Sequence, residues 1–298
     1  MASDLMLKKT RIAPTPSGFL HLGNILSFVI TAGLAKKTNA KILLRIDDAD
    51  RERTNKLYVQ DIFDTLDFLG IPWHEGPRTL HEYEHEYSQV HRMPLYNDAL
   101  QRLKEDGHLF ACQCTRTQVV VNRDESIYPG TCRSKNIPFD ANVSWRLRTG
   151  KEKELQVKTW PDTVVPATLP PPMTDFIVRK KDGFPAYQLT SVVDDTYFGV
   201  DLIVRGQDLW NSTLAQLYLS SLLATGTFGD TTFYHHALLN GADGNKLSKS
   251  AGDTSIQFLR KEGKRATDIY TLLAGMLQLE QPVESWEDLF GLMDAAKL

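Results

Sequence analysis

The stretch RIAPTPSGFLHLGN, residues 11–24, passes from a short apolar-leaning segment through a proline- and glycine-rich turn into a helix start. That helix continues to residue 40, with apolar side chains at helical spacing. The next strand, KILLRI at residues 41–46, is apolar nearly throughout, as expected of a covered parallel strand, and runs into the acidic cluster DDAD. A further helix is predicted from Lys56 to Leu69. This alternation predicts an α/β protein with its ligand crevice at the strand ends.

The same pattern resumes later in the chain after an interruption. Residues 110–172 break into cysteines, prolines and short extended pieces such as VSWRLR, which indicates an inserted subdomain. Residues 173–254 return to alternating helix and strand patterns, and residues 255–298 are helical in pattern. We therefore predict a Rossmann-type parallel sheet whose halves, 1–109 and 173–254, flank the insertion and precede a C-terminal helical segment.

The composition is ordinary for a globular protein that buries a full core. The chain has 298 residues, of which 42% are hydrophobic and 24% are charged. No stretch approaches the ~20 apolar residues of a membrane helix, and the start, MASDLMLKKT, lacks the apolar core of a signal peptide. We therefore expect a cytoplasmic protein with no membrane partner. Its formal net charge of -3 means that any nucleic acid must meet a local basic surface.

The opening of the first helix carries a candidate phosphate site. His21, Gly23 and Asn24 lie where a helix presents unpaired N–H groups and a partial positive charge. Gly23 would let a flat base approach the backbone, His21 could donate to a phosphate as pyrophosphate leaves, and Asn24 could add a neutral hydrogen bond. The alternative is simple capping and turn chemistry.

A second candidate phosphate site is the glycine-rich segment GADGNKLSKS, residues 241–250. It places Lys246 and Lys249 three positions apart, with Ser248 between them. Two ammonium groups on a loop can stabilise triphosphate charge in a transition state. The alternative is a solvated basic loop without a ligand.

These two segments resemble the signatures of class I aminoacyl-tRNA synthetases: HLGN resembles the first, and KLSKS differs by one conservative residue from the second. The longer string RIAPTPSGFLHLGN is similar to the start of glutamyl-tRNA synthetases. The resemblance implies ATP with Mg²⁺, L-glutamate and a tRNA as partners. It also implies that His21, Lys246 and Lys249 are catalytic, and that the ATP site consists of His21, Gly23, Asn24, Lys246, Ser248 and Lys249.

The resemblance also identifies a glutamate pocket. The positions that match it are Arg11, Ala13, Thr15, Asp47, Tyr187 and Arg205. Guanidinium groups suit the two substrate carboxylates, and an acidic side chain suits the α-ammonium. The family usually has RIEDTD where this chain has RIDDAD, so Asp47 replaces a longer glutamate. A bridging water, a closer strand or a changed substrate would each accommodate that difference.

The cysteines need a separate explanation. Cys112, Cys114, Tyr128 and Cys132 form C-x-C followed by Y-x-x-x-C, and three thiolates with one oxygen can complete a tetrahedral zinc site. The alternative is three reduced cysteines packed in a small core. The same elements occur in the family of glutamyl-queuosine tRNA(Asp) synthetases, and the resemblance implies a structural Zn²⁺ in an insertion that is similar to an acceptor-binding subdomain.

The resemblance to that family implies a specific reaction. Full glutamyl-tRNA synthetases continue into a helical anticodon-binding region, whereas this sequence stops soon after Lys249. We therefore expect transfer of glutamate to queuosine in the anticodon stem-loop of tRNA(Asp), with residues 255–298 contacting the stem. One alternative is a truncated glutamyl-tRNA synthetase that charges a tRNA 3′ end. Another is a non-catalytic tRNA-binding relic of a synthetase.

Overall fold

The computed structural model describes residues 7–115, 118–122, 125–140, 142–150, 153–223, 227–239 and 255–298, with the backbone alone for 120–122, 125 and 126. Lys246, Ser248 and Lys249 lie outside the described residues. The chain divides into two compact units. The first comprises Met1–His91, Leu202–Asp208 and Tyr234–Leu298, and the second comprises Arg92–Asp201 and Leu209–Phe233.

The sheet of the first unit is built from β1 (Lys9–Ile12), β2 (Lys41–Leu44), β10 (Leu202–Gly206) and the end of β11 (Thr232–His236), in the order β2-β1-β10-β11. Strand β1 pairs in parallel with both β2 and β10. Ile42, Leu43 and Leu44 are all at most 1% exposed, as the apolar run in β2 predicts for a strand covered on both faces.

Six α-helices belong to the first unit: α1 (Leu22–Thr38), α2 (Lys56–Leu69), α3 (Leu80–Glu82), α7 (Ile256–Lys261), α8 (Ala266–Met276) and α9 (Trp286–Ala296), within the residues that the structure describes. The predicted bounds of α2 are confirmed. Asn55 caps its start by accepting from the Leu57 N–H at 2.9 Å, and Gly70 ends it with a left-handed backbone at φ 63°.

The C-terminal helices pack within the first unit. A Cβ built on Gly33 of α1 would lie 2.0 Å from the Phe290 ring of α9, so only glycine allows this approach. The Trp286 indole N–H donates to the Gly70 carbonyl at 3.1 Å, and the Tyr270 hydroxyl donates to the Leu69 carbonyl at 2.5 Å. Helices α8 and α9 therefore anchor the end of α2.

The second unit contains α4 (Met93–Glu105), α5 (Tyr187–Phe198) and α6 (Trp210–Leu223). Its antiparallel sheet has the order β3-β6-β9, formed by Leu109–Cys112, Ser144–Leu147 and Ile177–Arg179. Two hairpins add β4 (Val120–Asn122) with β5 (Glu125–Ile127), and β7 (Glu154–Thr159) with β8 (Thr163–Thr168). The first half of β11 pairs in parallel with β7, with Phe233 opposite Thr159.

The order of strands and helices confirms a mixed, largely parallel α/β sheet. The antiparallel β7–β8 hairpin, whose Thr159 pairs with Phe233 of β11, was not predicted from the sequence. The division into ranges 1–109, 110–172, 173–254 and 255–298 stays a prediction.

Candidate active site

The first turn of α1 brings together three residues that were predicted to bind ATP. His21 precedes the helix with an extended backbone, and its N–H donates to Asn24 Oδ1 at 3.1 Å. A Cβ built on Gly23 would lie 3.1 Å from His21 Cε1, so the imidazole ring rests against this glycine. A larger residue at position 23 would displace the ring. The glycine therefore keeps His21 beside the helix N-terminus, where anions are favoured.

The turn before α1 is held by a buried carboxyl group. Leu20 N–H donates to Asp61 Oδ2 at 3.1 Å, and Asp61 is 4% exposed. Burial raises the pKa of Asp61, and this effect exceeds the lowering by the Leu20 N–H and the Arg260 charge. The entry to the α1 start therefore depends on a desolvated aspartate that sequence reasoning missed.

Two predicted glutamate-binding arginines lie on one face of the first unit's sheet. Thr10 is opposite Leu202, so the alternation of side chains places Arg11 in β1 and Arg205 in β10 on the same side. Arg11 and Arg205 are 7% and 4% exposed. Burial first, then the charge of Arg205, lowers the pKa of His235 to about 3, so this neighbouring imidazole is neutral. The shared face is suited to binding carboxylates.

The other predicted glutamate residues have different settings. Ala13 is half-buried and Thr15 is exposed in the turn that follows β1. Tyr187 begins α5 in the second unit and is 41% exposed. The adjacent Gln188 donates from Nε2 to the Ser212 hydroxyl at 3.1 Å. Ala13 and Thr15 thus share a unit with both arginines, whereas Tyr187 belongs to the other unit.

Asp47 is held by an arginine two residues earlier in the chain. Arg45 Nε and Nη2 donate to the two Asp47 carboxylate oxygens at 2.6 and 3.1 Å, and both side chains are buried. The Asp47 N–H donates to the Pro14 carbonyl at 2.9 Å. A two-pronged bond of this kind fixes the plane of the carboxylate. Sequence reasoning missed Arg45, although an arginine inside the apolar run KILLRI was an available signal.

Asp48, the next residue, is the centre of a buried hydrogen-bond network. It is 0% exposed. Its carboxylate accepts bonds of 2.6 to 2.8 Å from Arg51, Tyr83, Ser88 and the Gln89 N–H. Gln89 Oε1 in turn accepts from the Ala49 N–H at 2.6 Å. The network therefore fixes the backbone that carries Asp47.

The four residues Cys112, Cys114, Tyr128 and Cys132, here called the cysteine cluster, converge in the second unit. Among the described residues, the three Sγ atoms form a group with metal-ligand spacing, all within 4.8 Å of one another. Cys114 Sγ is 3.6 Å from Cys132 Sγ, and Cys112 Sγ is 3.5 Å from the Tyr128 hydroxyl. Tetrahedral Zn–S bonds of about 2.3 Å imply S–S separations of about 3.8 Å, so the thiols have suitable spacing.

The electrostatics of the cysteine cluster favour one thiolate. Burial raises the pKa of Cys112, but hydrogen bonds from Tyr128, the Cys114 N–H and Arg146 outweigh burial and lower it to about 7. Burial, with Cys132 and Cys112 nearby, raises the pKa of Cys114 to about 11. The Arg146 guanidinium lies 3.7 Å from the centre of the Tyr128 ring. The positive charge of Arg146 therefore lies close to the cluster and favours the thiolate form of Cys112.

Comparison with known families gives a match over most of the chain. The family described as "tRNA synthetases class I (E and Q), catalytic domain" matches residues 8–291. The fold is similar to a glutamate-tRNA synthetase structure from Elizabethkingia anophelis, with a TM-score of 0.73 and 19% identity, covering 95% of this chain and 65% of that one.

Within the described residues, no helix has the length and apolar character needed to cross a membrane.

Curated relatives carry two different names. A "Glutamyl-Q tRNA(Asp) synthetase" from Symbiobacterium thermophilum is 33% identical over 97% of this chain and 93% of its own length. A "Glutamate--tRNA ligase" from Anaeromyxobacter sp. strain K is also 33% identical, over 86% of this chain. The aligned region spans only 54% of that ligase. Sequence identity alone therefore does not decide which of these two relatives the chain resembles in activity.

Proposed function

Because the chain belongs to the family of class I tRNA synthetases of the E and Q type, we propose that it activates glutamate with ATP and transfers it to queuosine in the anticodon of tRNA(Asp). The observation that carries the choice of acceptor is the cysteine cluster, since its C-x-C and Y-x-x-x-C elements resemble those of glutamyl-queuosine tRNA(Asp) synthetases. The relative from S. thermophilum supports the same choice. The partners are ATP, L-glutamate and the anticodon stem-loop of tRNA(Asp), in the cytoplasm.

The first step forms an adenylate from glutamate and ATP. An oxygen of the glutamate α-carboxylate attacks the α-phosphorus, and the bond to the β-phosphate breaks to release pyrophosphate. His21, beside the α1 N-terminus, donates to the phosphate oxygens as their charge grows, and Gly23 and Asn24 keep the helix start open and ordered. Lys246 and Lys249 supply further positive charge, with Ser248 beside them. Mg²⁺ bound to ATP would neutralise phosphate charge.

Within the first unit, the glutamate is held by two arginines and an aspartate, while the role predicted for Tyr187, in the second unit, stays a prediction. Arg11 and Arg205 pair with its carboxylates, while Asp47, oriented by Arg45, pairs with the α-ammonium. Ala13 and Thr15 line the turn beside them. The second step needs no enzyme-bound covalent intermediate: a queuosine hydroxyl attacks the activated carbonyl and AMP leaves. Positioning and electrostatics account for catalysis in both steps.

The cysteine cluster has a structural role in this proposal. Three thiols and a phenol hydroxyl offer four ligands, which fill a tetrahedral Zn²⁺ site and leave no open position for a substrate. Zinc there would tie the segment around Cys112 to the turn around Cys132. If purified protein contains less than about a tenth of an equivalent of zinc yet folds fully, the cysteines are a packed core instead.

Transfer of labelled glutamate tests the acceptor. The assay uses tRNA(Asp) and tRNA(Glu), each with and without queuosine, and periodate-treated samples as controls. We expect labelling of queuosine-containing tRNA(Asp) alone. Labelling of tRNA(Glu) regardless of queuosine would instead establish a charging enzyme, the activity that the name of the Anaeromyxobacter relative denotes. No glutamate-dependent exchange of pyrophosphate into ATP, with or without tRNA, would support the non-catalytic alternative.

A further inference from the structure

A buried histidine at the end of β11 is bonded at both ring nitrogens. His236 is 6% exposed, its Nε2 lies 2.6 Å from the Ser27 hydroxyl, and its Nδ1 lies 2.8 Å from the Ala237 carbonyl. A carbonyl only accepts, so Nδ1 carries the proton. Burial lowers the pKa of His236, against opposing effects of the Ala237 carbonyl and the Asp208 charge. The ring is therefore neutral, and Nε2 accepts the hydrogen bond from Ser27.

Ser27 connects this histidine to the first turn of α1. A serine inside a helix commonly bonds back to the carbonyl four residues earlier. Here the Ser27 hydroxyl is 3.4 Å from the Gly23 carbonyl but 2.6 Å from His236, so the bond to the histidine dominates. Gly23 is also the residue against which the His21 ring rests. Contacts thus run from β11 through Ser27 and Gly23 to His21.

A bond between α1 and β11 fixes how the first helical turn is placed against the sheet. The direction in which the α1 amides and His21 point depends on that placement, because all of them belong to one rigid turn. A displacement of about 1 Å in a group that stabilises a transition state lowers the rate substantially. The hydrogen bond between Ser27 and His236 therefore acts where small changes in geometry affect phosphate binding.

We infer that His236, acting through Ser27, is a positioning residue for the phosphate-binding start of α1. Its ring bonds to Ser27 and to the Ala237 carbonyl, and through Ser27 it places the helix turn that binds ATP. This inference rests on the proposed function for its substrate, and it assigns a role to two residues outside both signature segments.

The test compares paired substitutions in the full chain. Ser27→Ala removes the hydroxyl and His236→Leu removes its acceptor, while Ser27→Thr keeps the hydroxyl and His236→Gln keeps an acceptor near Nε2. Glutamate-dependent exchange gives the KM for each substrate, and ATP titration of the folded protein gives a Kd without catalysis. The matched control is Ser220→Ala, which deletes a buried helical hydroxyl that donates to the Leu217 carbonyl of its own helix.

We expect the Ser27→Ala and His236→Leu substitutions each to raise the KM and Kd for ATP about three- to tenfold, the usual effect of one buried hydrogen bond. The KM for glutamate should change less than about twofold. The double variant should be no worse than His236→Leu, because both changes remove one interaction. Ser27→Thr and His236→Gln should restore most of the ATP affinity.

The inference is overturned if the ATP Kd values of Ser27→Ala and His236→Leu are no higher than that of Ser220→Ala. It is also overturned if the KM values for ATP and glutamate rise by the same factor. The conservative variants decide the matter even if His236→Leu does not fold, since loss of ATP affinity in Ser27→Ala without recovery in Ser27→Thr also overturns it. Absence of exchange in the unsubstituted protein refutes the proposed function instead, and the ATP Kd values still judge the role of His236.

Discussion

The α1 start and the cysteine cluster are both collections of polar groups, but they differ in how those groups are paired. At the α1 start, His21 N–H bonds to Asn24 and Ser27 bonds to His236, so the protein itself fixes the geometry. In the cysteine cluster, three thiols lie within 4.8 Å of one another. Thiols so close favour a shared cation. Damage to the first region should therefore lower the rate, and damage to the second should lower stability.

The largest effect is expected in the cysteine cluster. Replacing Cys132 with Ala removes one ligand of the proposed zinc site. Because binding of a structural zinc contributes directly to folding, we expect the free energy of unfolding to fall by roughly 3 kcal/mol or more. Zinc per chain and urea unfolding measure the change. Chelation of the unsubstituted protein should reproduce it, and full stability without zinc would place the cluster among ordinary packed cores.

Substitution at the α1 start should lower the reaction rate and leave stability nearly unchanged. His21→Ala removes the proposed donor to the developing phosphate charge, and we expect glutamate-dependent exchange to fall about 10²- to 10³-fold. Stability should change by less than about 1 kcal/mol, since the residue is only partly buried. Exchange kinetics and thermal unfolding give the two numbers. A variant with near-normal exchange would remove His21 from the mechanism.

Asp48 resembles the α1 start in that protein groups bind its carboxylate, and it resembles the cysteine cluster in that its loss should lower stability. In Asp48→Asn an amide N–H₂ must face donors, so we expect a loss of about 1 to 3 kcal/mol in the free energy of unfolding. Asp98→Asn is the control, because its side chain is 61% exposed and forms a surface ion pair with Arg102. Equal stabilities of the two variants would show that the buried network contributes little.

Two similar arginine–aspartate pairs allow a finer comparison between the units. Arg45–Asp47 in the first unit has bonds of 2.6 and 3.1 Å, and Arg92–Asp194 in the second has bonds of 2.7 and 3.1 Å. Lysine cannot form the two-pronged bond. We expect Arg45→Lys to raise the KM for glutamate about tenfold, and Arg92→Lys to lower stability without that change. Equal KM values for glutamate in the Arg45→Lys and Arg92→Lys variants would mean that Arg45 does not orient Asp47.

The smallest effect concerns Asp61 below the α1 start. Burial raises the pKa of Asp61, so the stability associated with its protonated form is present below the usual pKa of 3.8 and lost as pH rises through the raised pKa. Asp61→Asn keeps an acceptor for the Leu20 N–H. The variant should therefore unfold at higher urea concentration than the unsubstituted protein at pH 7, with the difference shrinking towards pH 3.8. A constant difference would exclude this cause.

The sequence was informative wherever local pattern decides structure. The bounds of α2 follow from Asn55 and Gly70, and the apolar run in β2 identified a covered strand. The β7–β8 hairpin was missed because β8 is largely exposed and contains Pro166, which weakens a strand signal. The Ser27–His236 bond joins residues 209 positions apart, so no local pattern encodes it. Predicted site residues were found from motifs, whereas their supporting residues required the fold.

We propose that the α1 start belongs to a glutamate-activating site. The most direct test of this proposal is ATP–pyrophosphate exchange with glutamate, aspartate or glutamine, each with and without tRNA, using the unsubstituted protein and the Lys249→Ala variant. We predict exchange with glutamate alone and its loss in the variant, because in the proposed mechanism Lys249 stabilises the departing pyrophosphate. Absence of exchange with glutamate under either condition, or undiminished exchange in Lys249→Ala, would contradict the account.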